Sequence, residues 1–174
     1  MTPLPSALGG TGLVAWRLDP LRFASTWDSG EGAYLFGGRW NSLGARAVYA
    51  ALDPATALLE VAVHRGFEVL DAQPHVLTAF EILSPRDVYV VRPDDAPNPH
   101  WLRPGPPSAG QQAFGDALLA RHPFVVLPSA VSTHSWNLLF VAANADGGYR
   151  LQTQERFALD PRLRPPGDIG RADR

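Results

Sequence analysis

Apolar positions fall along this chain in short runs, most of them spaced for strands. Residues 13–18, Leu-Val-Ala-Trp-Arg-Leu, make the first run, with Arg17 set among apolar neighbours. Runs at 47–51, 76–83, 87–91, 124–127 and 136–142 follow, and 149–159 alternates through Leu151, Thr153, Glu155 and Phe157 as a half-exposed strand would. Branched and aromatic residues in such lengths, punctuated by Pro and Gly, predict strands. Two segments carry helix signals instead. Asp53 stands before Pro54, an N-cap followed by a proline at the first helical position, where the missing N–H costs nothing. The helix predicted from there holds Ala55, Ala57, Leu58, Leu59, Val61, Ala62 and Val63, apolar nearly all round, which places it inside the protein. Ser108-x-x-Gln111 is a capping box; Phe114, Ala117, Leu118 and Arg121 share the face behind it, and Pro123 ends that helix. About seven short strands and two helices in mixed order, without a βαβ repeat, predict an α+β fold.

Between these elements lie two long connections. Residues 19–36 are irregular around an Asp28-Ser29-Gly30 turn, and long loops of this kind are often binding loops. Residues 93–107 contain six prolines and read as an extended surface loop. Residues 1–12 and 164–174 lack a core pattern and are expected to be flexible, leaving 13–163 as one domain. A chain of 174 residues fits that count and is long enough to bury about 70% of its unfolded surface.

Composition narrows the function classes. With 45% hydrophobic and 18% charged residues the chain is globular, and a net charge of −2 argues against direct nucleic-acid binding through phosphate neutralisation. The absence of Cys removes disulfides, thiol nucleophiles and thiolate metal sites. Residues 1–12 show no signal peptide, and no apolar run approaches the ~18 residues of a membrane span, so a cytoplasmic location is expected. All 15 basic residues are Arg. Arg suits bidentate phosphate contacts, but coding bias in a chain rich in Ala, Pro and Gly explains the absence of Lys equally well.

The candidate chemistry gathers in 37–64. Glu60 interrupts the apolar helix, and a carboxylate there must be protonated, paired or turned into a cleft. Arg39 in the glycine loop, Tyr49 on the strand and Glu60 on the helix are carried by consecutive elements and can converge. Arg17 and Arg39 could hold phosphate through their guanidinium forks or neutralise Glu60. Tyr49 alone is most simply a core aromatic, and Ser129 a turn hydroxyl bonding local backbone. Trp40 and Asn41 look like loop scaffolding. His64 lies one helical turn beyond Glu60, but Glu-x-x-x-His without further ligand spacing is a weak metal signal, and no metal is expected. No G-x-G-x-x-G fingerprint follows a strand.

Taken in order, Gly-Gly-Arg-Trp-Asn at 37–41, Val-Tyr-Ala at 48–50, Ala-Leu-Leu-Glu at 57–60 and Pro-Ser-Ala at 128–130 resemble the RES domain, over roughly 14–163. That family is the toxin half of bacterial RES–Xre toxin–antitoxin pairs. The resemblance implies a fold akin to ADP-ribosyltransferases and action on NAD⁺ as substrate, with no bound cofactor. It implies cleavage of the nicotinamide–ribose bond with help from Glu60, a pyrophosphate held by Arg17 and Arg39, and Tyr49 against the nicotinamide or ribose. Ser129 and Asn137 become ligand-contact candidates. The acceptor is left open among water, inorganic phosphate and a protein, so hydrolase, phosphorylase and ADP-ribosyltransferase all stand, beside a non-catalytic scaffold of the same fold. The implied partner is an Xre-like helix-turn-helix antitoxin in a hetero-oligomeric complex. In one place the chain departs from the family pattern: residues 141–146, Val-Ala-Ala-Asn-Ala-Asp, replace a usual Asn-Pro-x-His segment that would bear on the far wall of the site.

Overall fold

The computed structural model describes residues 13–96, 100–103, 105–132, 134–160 and 162, and the expectations for 1–12 and 164–174 lie outside them. Within these residues seven strands, β1 (Leu13–Pro20), β2 (Val48–Ala51), β3 (His75–Ile82), β4 (Val88–Val90), β5 (Phe124–Pro128), β6 (Trp136–Phe140) and β7 (Tyr149–Phe157), build one sheet. Their order is β4-β5-β6-β2-β1-β3-β7, and every neighbouring pair is antiparallel except β4 with β5. Among the described residues four helices, α1 (Glu31–Phe36), α2 (Pro54–Arg65), α3 (Phe67–Ala72) and α4 (Ala109–Leu119), complete an α+β domain. Among the described residues, no helix is long and apolar enough to cross a membrane.

The sheet is buried on both faces where β5 and β6 run, because successive side chains point to opposite sides. Phe124, Val126, Leu138 and Phe140 pack with Trp27 and Phe80 on one side. Val125, Leu127 and Leu139 pack with Trp40, Trp101 and Leu118 on the other. A strand covered twice has no polar alternation, which is why these two runs are continuously apolar. β7 is the opposite case. It sits at the sheet edge and is exposed along nearly its whole length, more than the half-exposure expected, with a register break against β3 at Ala79/Phe80. Edge charges and a bulge discourage further pairing there.

α2 starts where its cap signals put it: the Asp53 carboxylate accepts the Thr56 N–H at 2.8 Å. Its burial differs from expectation. Only Thr56, Ala57 and Ala62 are buried, while Val63 is 59% exposed. Ala62 packs on Leu18 and Leu70, so the helix lies along one flank of the sheet and leaves its other side open. Glu60 is therefore at a boundary, not in the interior.

Three further features depart from the pattern reading. Residues 19–36 are more ordered than expected, since β1 continues to Pro20 and a 3-10 turn (Leu21–Thr26) and α1 follow. The capping box at α4 is only half formed. Ser108 Oγ accepts the Gln111 N–H at 3.2 Å, but the Gln111 side chain donates to the Trp101 carbonyl at 2.7 Å. That bond, with Trp101 buried edge-on against Trp40 at 5.5 Å between ring centres, docks part of the proline-rich loop onto the core.

β1 pairs with β3 along all eight positions but with β2 only at Trp16/Ala51. Beyond Trp16 the two strands share no further ladder pair, and a cleft begins there.

Candidate active site

The glycine loop is held by its own amide. Asn41 is fully buried; its Nδ2 donates to the carbonyls of Ala33, Ser42 and Ala45 at 2.9–3.1 Å. Its Oδ1 accepts the Tyr49 hydroxyl at 2.7 Å, and that hydroxyl accepts the Trp40 N–H at 3.0 Å. Tyr49 thus staples the loop to β2. Burial pushes its phenol well above the ordinary range, with the Trp40 N–H working the other way. A Cβ on Gly38 would stand 2.5 Å from the Tyr49 oxygen, so the second glycine of the motif is required by this approach.

Glu60 is fixed from the sheet side. Ser129 Oγ accepts the backbone N–H groups of Val131 (3.1 Å) and Ser132 (2.9 Å), which occupies both of its lone pairs. Its proton has one direction left, and it donates to Glu60 Oε1 at 2.8 Å. Asn137 Nδ2, from β6, donates to the same oxygen at 2.6 Å. Two donors on Oε1 lock the carboxylate plane. Oε2 stands 3.7 Å from His64 Nε2, and the Glu60 side chain is 22% exposed.

The arginines do not neutralise this carboxylate. Arg17 donates from Nε and Nη2 to Asp19 at 2.7 and 2.6 Å and from Nη1 to the Tyr49 carbonyl at 2.7 Å. Arg39 donates to the carbonyls of Arg103 at 3.2 Å and Gly105 at 3.1 Å. The expectation that either could serve as the partner of Glu60 is not met.

Arg17, Arg39, Tyr49, Glu60 and Asn137 all line one cleft of about 580 Å³, with His64 and Arg65 along the α2 side. Ser129 stands behind Glu60 and acts on it from there. Residues 141–146 contribute nothing to the lining; Asn144 instead donates to the Leu119 carbonyl at 3.0 Å, behind α4. The departure from the family pattern thus falls outside the cleft. Among the described residues no three His, Asp or Glu side chains gather as a metal site would need. Asp19 was not among the expected site residues. The signal for it is Arg-x-Asp at the end of a strand, two positions apart and hence on one side, hidden because the apolar run ends at Leu18 while β1 runs on to Pro20.

The cleft thus opens where β1 and β2 part, with Glu60 of α2 and the guanidinium groups of Arg17 and Arg39 in its lining. The family model described as the RES domain matches residues 14–161, and the chain belongs to that family. It is 30% identical over 157 residues to Toxin Res of Photorhabdus laumondii, covering 87% of this chain and 97% of that one. To the Prs ADP-ribosylating toxin of a Sphingobium species it is 28% identical over 162 residues, covering 85% and 94%. Its fold is similar to a chain in the crystal structure of the M. tuberculosis MbcT–MbcA toxin–antitoxin complex, with a TM-score of 0.66 at 20% identity, covering 84% of this chain and 85% of that chain.

Proposed function

We propose that this RES protein is the toxin of a toxin–antitoxin pair and cleaves the nicotinamide–ribose bond of NAD⁺. The observation that carries the reading is the state of Glu60: Oε1 held by Ser129 and Asn137, Oε2 left over, in a cleft that also contains Arg17 and Arg39. In this reading the arginines take the pyrophosphate and Tyr49 borders the nicotinamide end. The C1′–N bond breaks with its electron pair leaving on nicotinamide, and Glu60 Oε2 stabilises the positive charge that develops on the ribose. The acceptor's lone pair then closes on C1′, and its proton is lost to solvent. A carboxylate already oriented needs no reorganisation as that charge appears. Inorganic phosphate and water are both acceptors of the right chemistry, and no resident cofactor is needed.

A protein acceptor is the second reading. It is favoured by Phe36, which lines the cleft yet is 83% exposed, and by the ADP-ribosylating activity for which the Sphingobium relative is named. An antitoxin partner follows from the toxin reading, with the complex of the structural neighbour as support and an Xre-like helix-turn-helix protein as the form expected. The test is incubation of the purified chain with NAD⁺ labelled on adenine. Nicotinamide release with label in free ADP-ribose or its phosphate ester supports hydrolysis or phosphorolysis, and label fixed on protein supports transfer. Intact NAD⁺ with each acceptor would overturn the enzymatic reading in favour of a scaffold. In cells, expression of the chain alone is expected to slow growth and lower NAD⁺.

A further inference from the structure

We propose that Asp19 is a positioning residue for anion recognition, fixing the Arg17 guanidinium so that its unspent N–H groups meet the pyrophosphate of the ligand. The inference rests on the NAD⁺ reading and adds to it a residue that none of the motif elements contains. β1 runs on past Leu18, with Asp19 opposite Val76 and Pro20 opposite His75. In a strand, residues two apart point to the same side, so Asp19 is brought under Arg17 by backbone geometry alone. Both carboxylate oxygens are engaged on the one guanidinium, at 2.7 and 2.6 Å, and Asp19 is only 6% exposed.

A pair this buried is weak evidence for stability, because desolvation offsets the attraction. Its consequence for geometry is plain. Of the five guanidinium N–H groups, two are held by Asp19 and one by the Tyr49 carbonyl, leaving two at the cleft. Without Asp19, Arg17 would keep a single contact about which its stem could swing. The pair also divides the labour between the two arginines. Asp19 cancels the charge of Arg17, so Arg17 contributes direction more than net attraction. Arg39, which meets only carbonyls and forms no ion pair among the described residues, supplies the uncompensated charge.

The experiment compares substrates with and without phosphate. In a folded Asp19→Asn variant, KM for NAD⁺ is expected to rise about tenfold with kcat within about twofold, since pre-organisation of a binding group is what is lost. Cleavage of nicotinamide riboside, which has no phosphate for Arg17 to meet, is expected to be unchanged. An equal penalty on both substrates would overturn the proposal and leave Asp19 a structural residue. On an Arg17→Gln background no cation is left to position, and adding Asp19→Asn removes the carboxylate that the first change leaves unpaired, so KM for NAD⁺ should not rise further. Full additivity would overturn the proposal, and this comparison also decides the matter if the single variant fails to fold. Failure of the NAD⁺ reading is separable: if the wild-type chain leaves NAD⁺ intact, calorimetric titration with inorganic pyrophosphate tests Asp19 by itself. Roughly tenfold weaker pyrophosphate binding by Asp19→Asn supports the positioning role, and equal binding, or none by the wild type, rejects it.

Discussion

Glutamine at position 60 would keep the volume and still offer an oxygen to Ser129 and Asn137, whose donors would remain satisfied. Because Arg17 and Arg39 are partnered elsewhere, no arginine is stranded by the change. Glu60→Gln is therefore expected to melt close to wild type while NAD⁺ turnover falls 10²–10³-fold, the ~3–4 kcal/mol that a lost transition-state contact of this kind is worth. Paired melting and nicotinamide-release assays on one preparation check it, and full turnover would remove Glu60 from catalysis. Ser129→Ala acts differently. It withdraws one donor from Glu60 and also the acceptor for the Val131 and Ser132 N–H groups, so about 1–3 kcal/mol of stability should go with the activity. Arg39→Lys keeps charge but not the fork. If that fork grips phosphate, NAD⁺ affinity should drop by ~1.5–3 kcal/mol in calorimetry at unchanged fold; equal affinity would reduce Arg39 to a tether of the Arg103 and Gly105 carbonyls.

At the scale of elements, the loop that carries Arg39 is clamped between β2 and α4, and Gly115 is where α4 comes nearest. A Cβ there would lie 2.0 Å from the Trp40 carbonyl oxygen, a backbone atom that cannot rotate away. Gly115→Ala gains ~1 kcal/mol of helix propensity and loses more, since overpacking against backbone costs ~1–3 kcal/mol or above. A net loss near 2 kcal/mol lowers the melting temperature by ~4–8 °C in a chain of this size, with turnover falling as the loop moves. Unchanged melting would show that α4 can slide. Nothing in the one-dimensional pattern marks this glycine, because a close approach joins residues far apart in sequence. The cap of α2 was legible, since Asp53-Pro54 acts through its own neighbours. Burial of α2 is illegible for the converse reason: a helix rich in Ala and Val looks apolar all round whether or not anything covers its outer side. α1 and α3 leave no mark in the pattern because six residues hold too few turns for a periodic signal. The donors that orient Glu60 were only half legible. The motif supplied Ser129 and Asn137 as names, but their shared grip on Oε1 depends on β5 and β6 lying side by side beneath α2.

For the molecule as a whole, the sheet order brings the ends of β1 and β3 together beside α2, and a buried histidine is trapped there. His75 is 1% exposed; its Nδ1 lies 2.8 Å from the Gln73 carbonyl, and its Nε2 has no partner among the described residues. The carbonyl fixes the proton on Nδ1, so Nε2 is a buried bare acceptor. Burial lowers the His75 pKa, aided by the positive charges of Arg65 and Arg22 and opposed by the Gln73 carbonyl and Asp19. The sign for stability follows directly. Below the unfolded value of about 6.5 the unfolded chain takes up a proton at this position that the folded chain refuses, so the unfolded state is favoured as pH falls. The stabilisation is complete above that value and is lost progressively down to the lower folded pKa. The urea midpoint of the wild-type chain is therefore expected to fall between pH 7.5 and pH 5.5. Carboxylates contribute little to the change in that interval, because their unfolded values lie near 4. A His75→Asn variant offers an amide in place of the ring and has nothing to protonate. Its midpoint should be lower at pH 7.5, through lost packing, yet nearly flat between the two pH values. Equal slopes for the two proteins would move the pH dependence away from the β1–β3 end and onto another histidine.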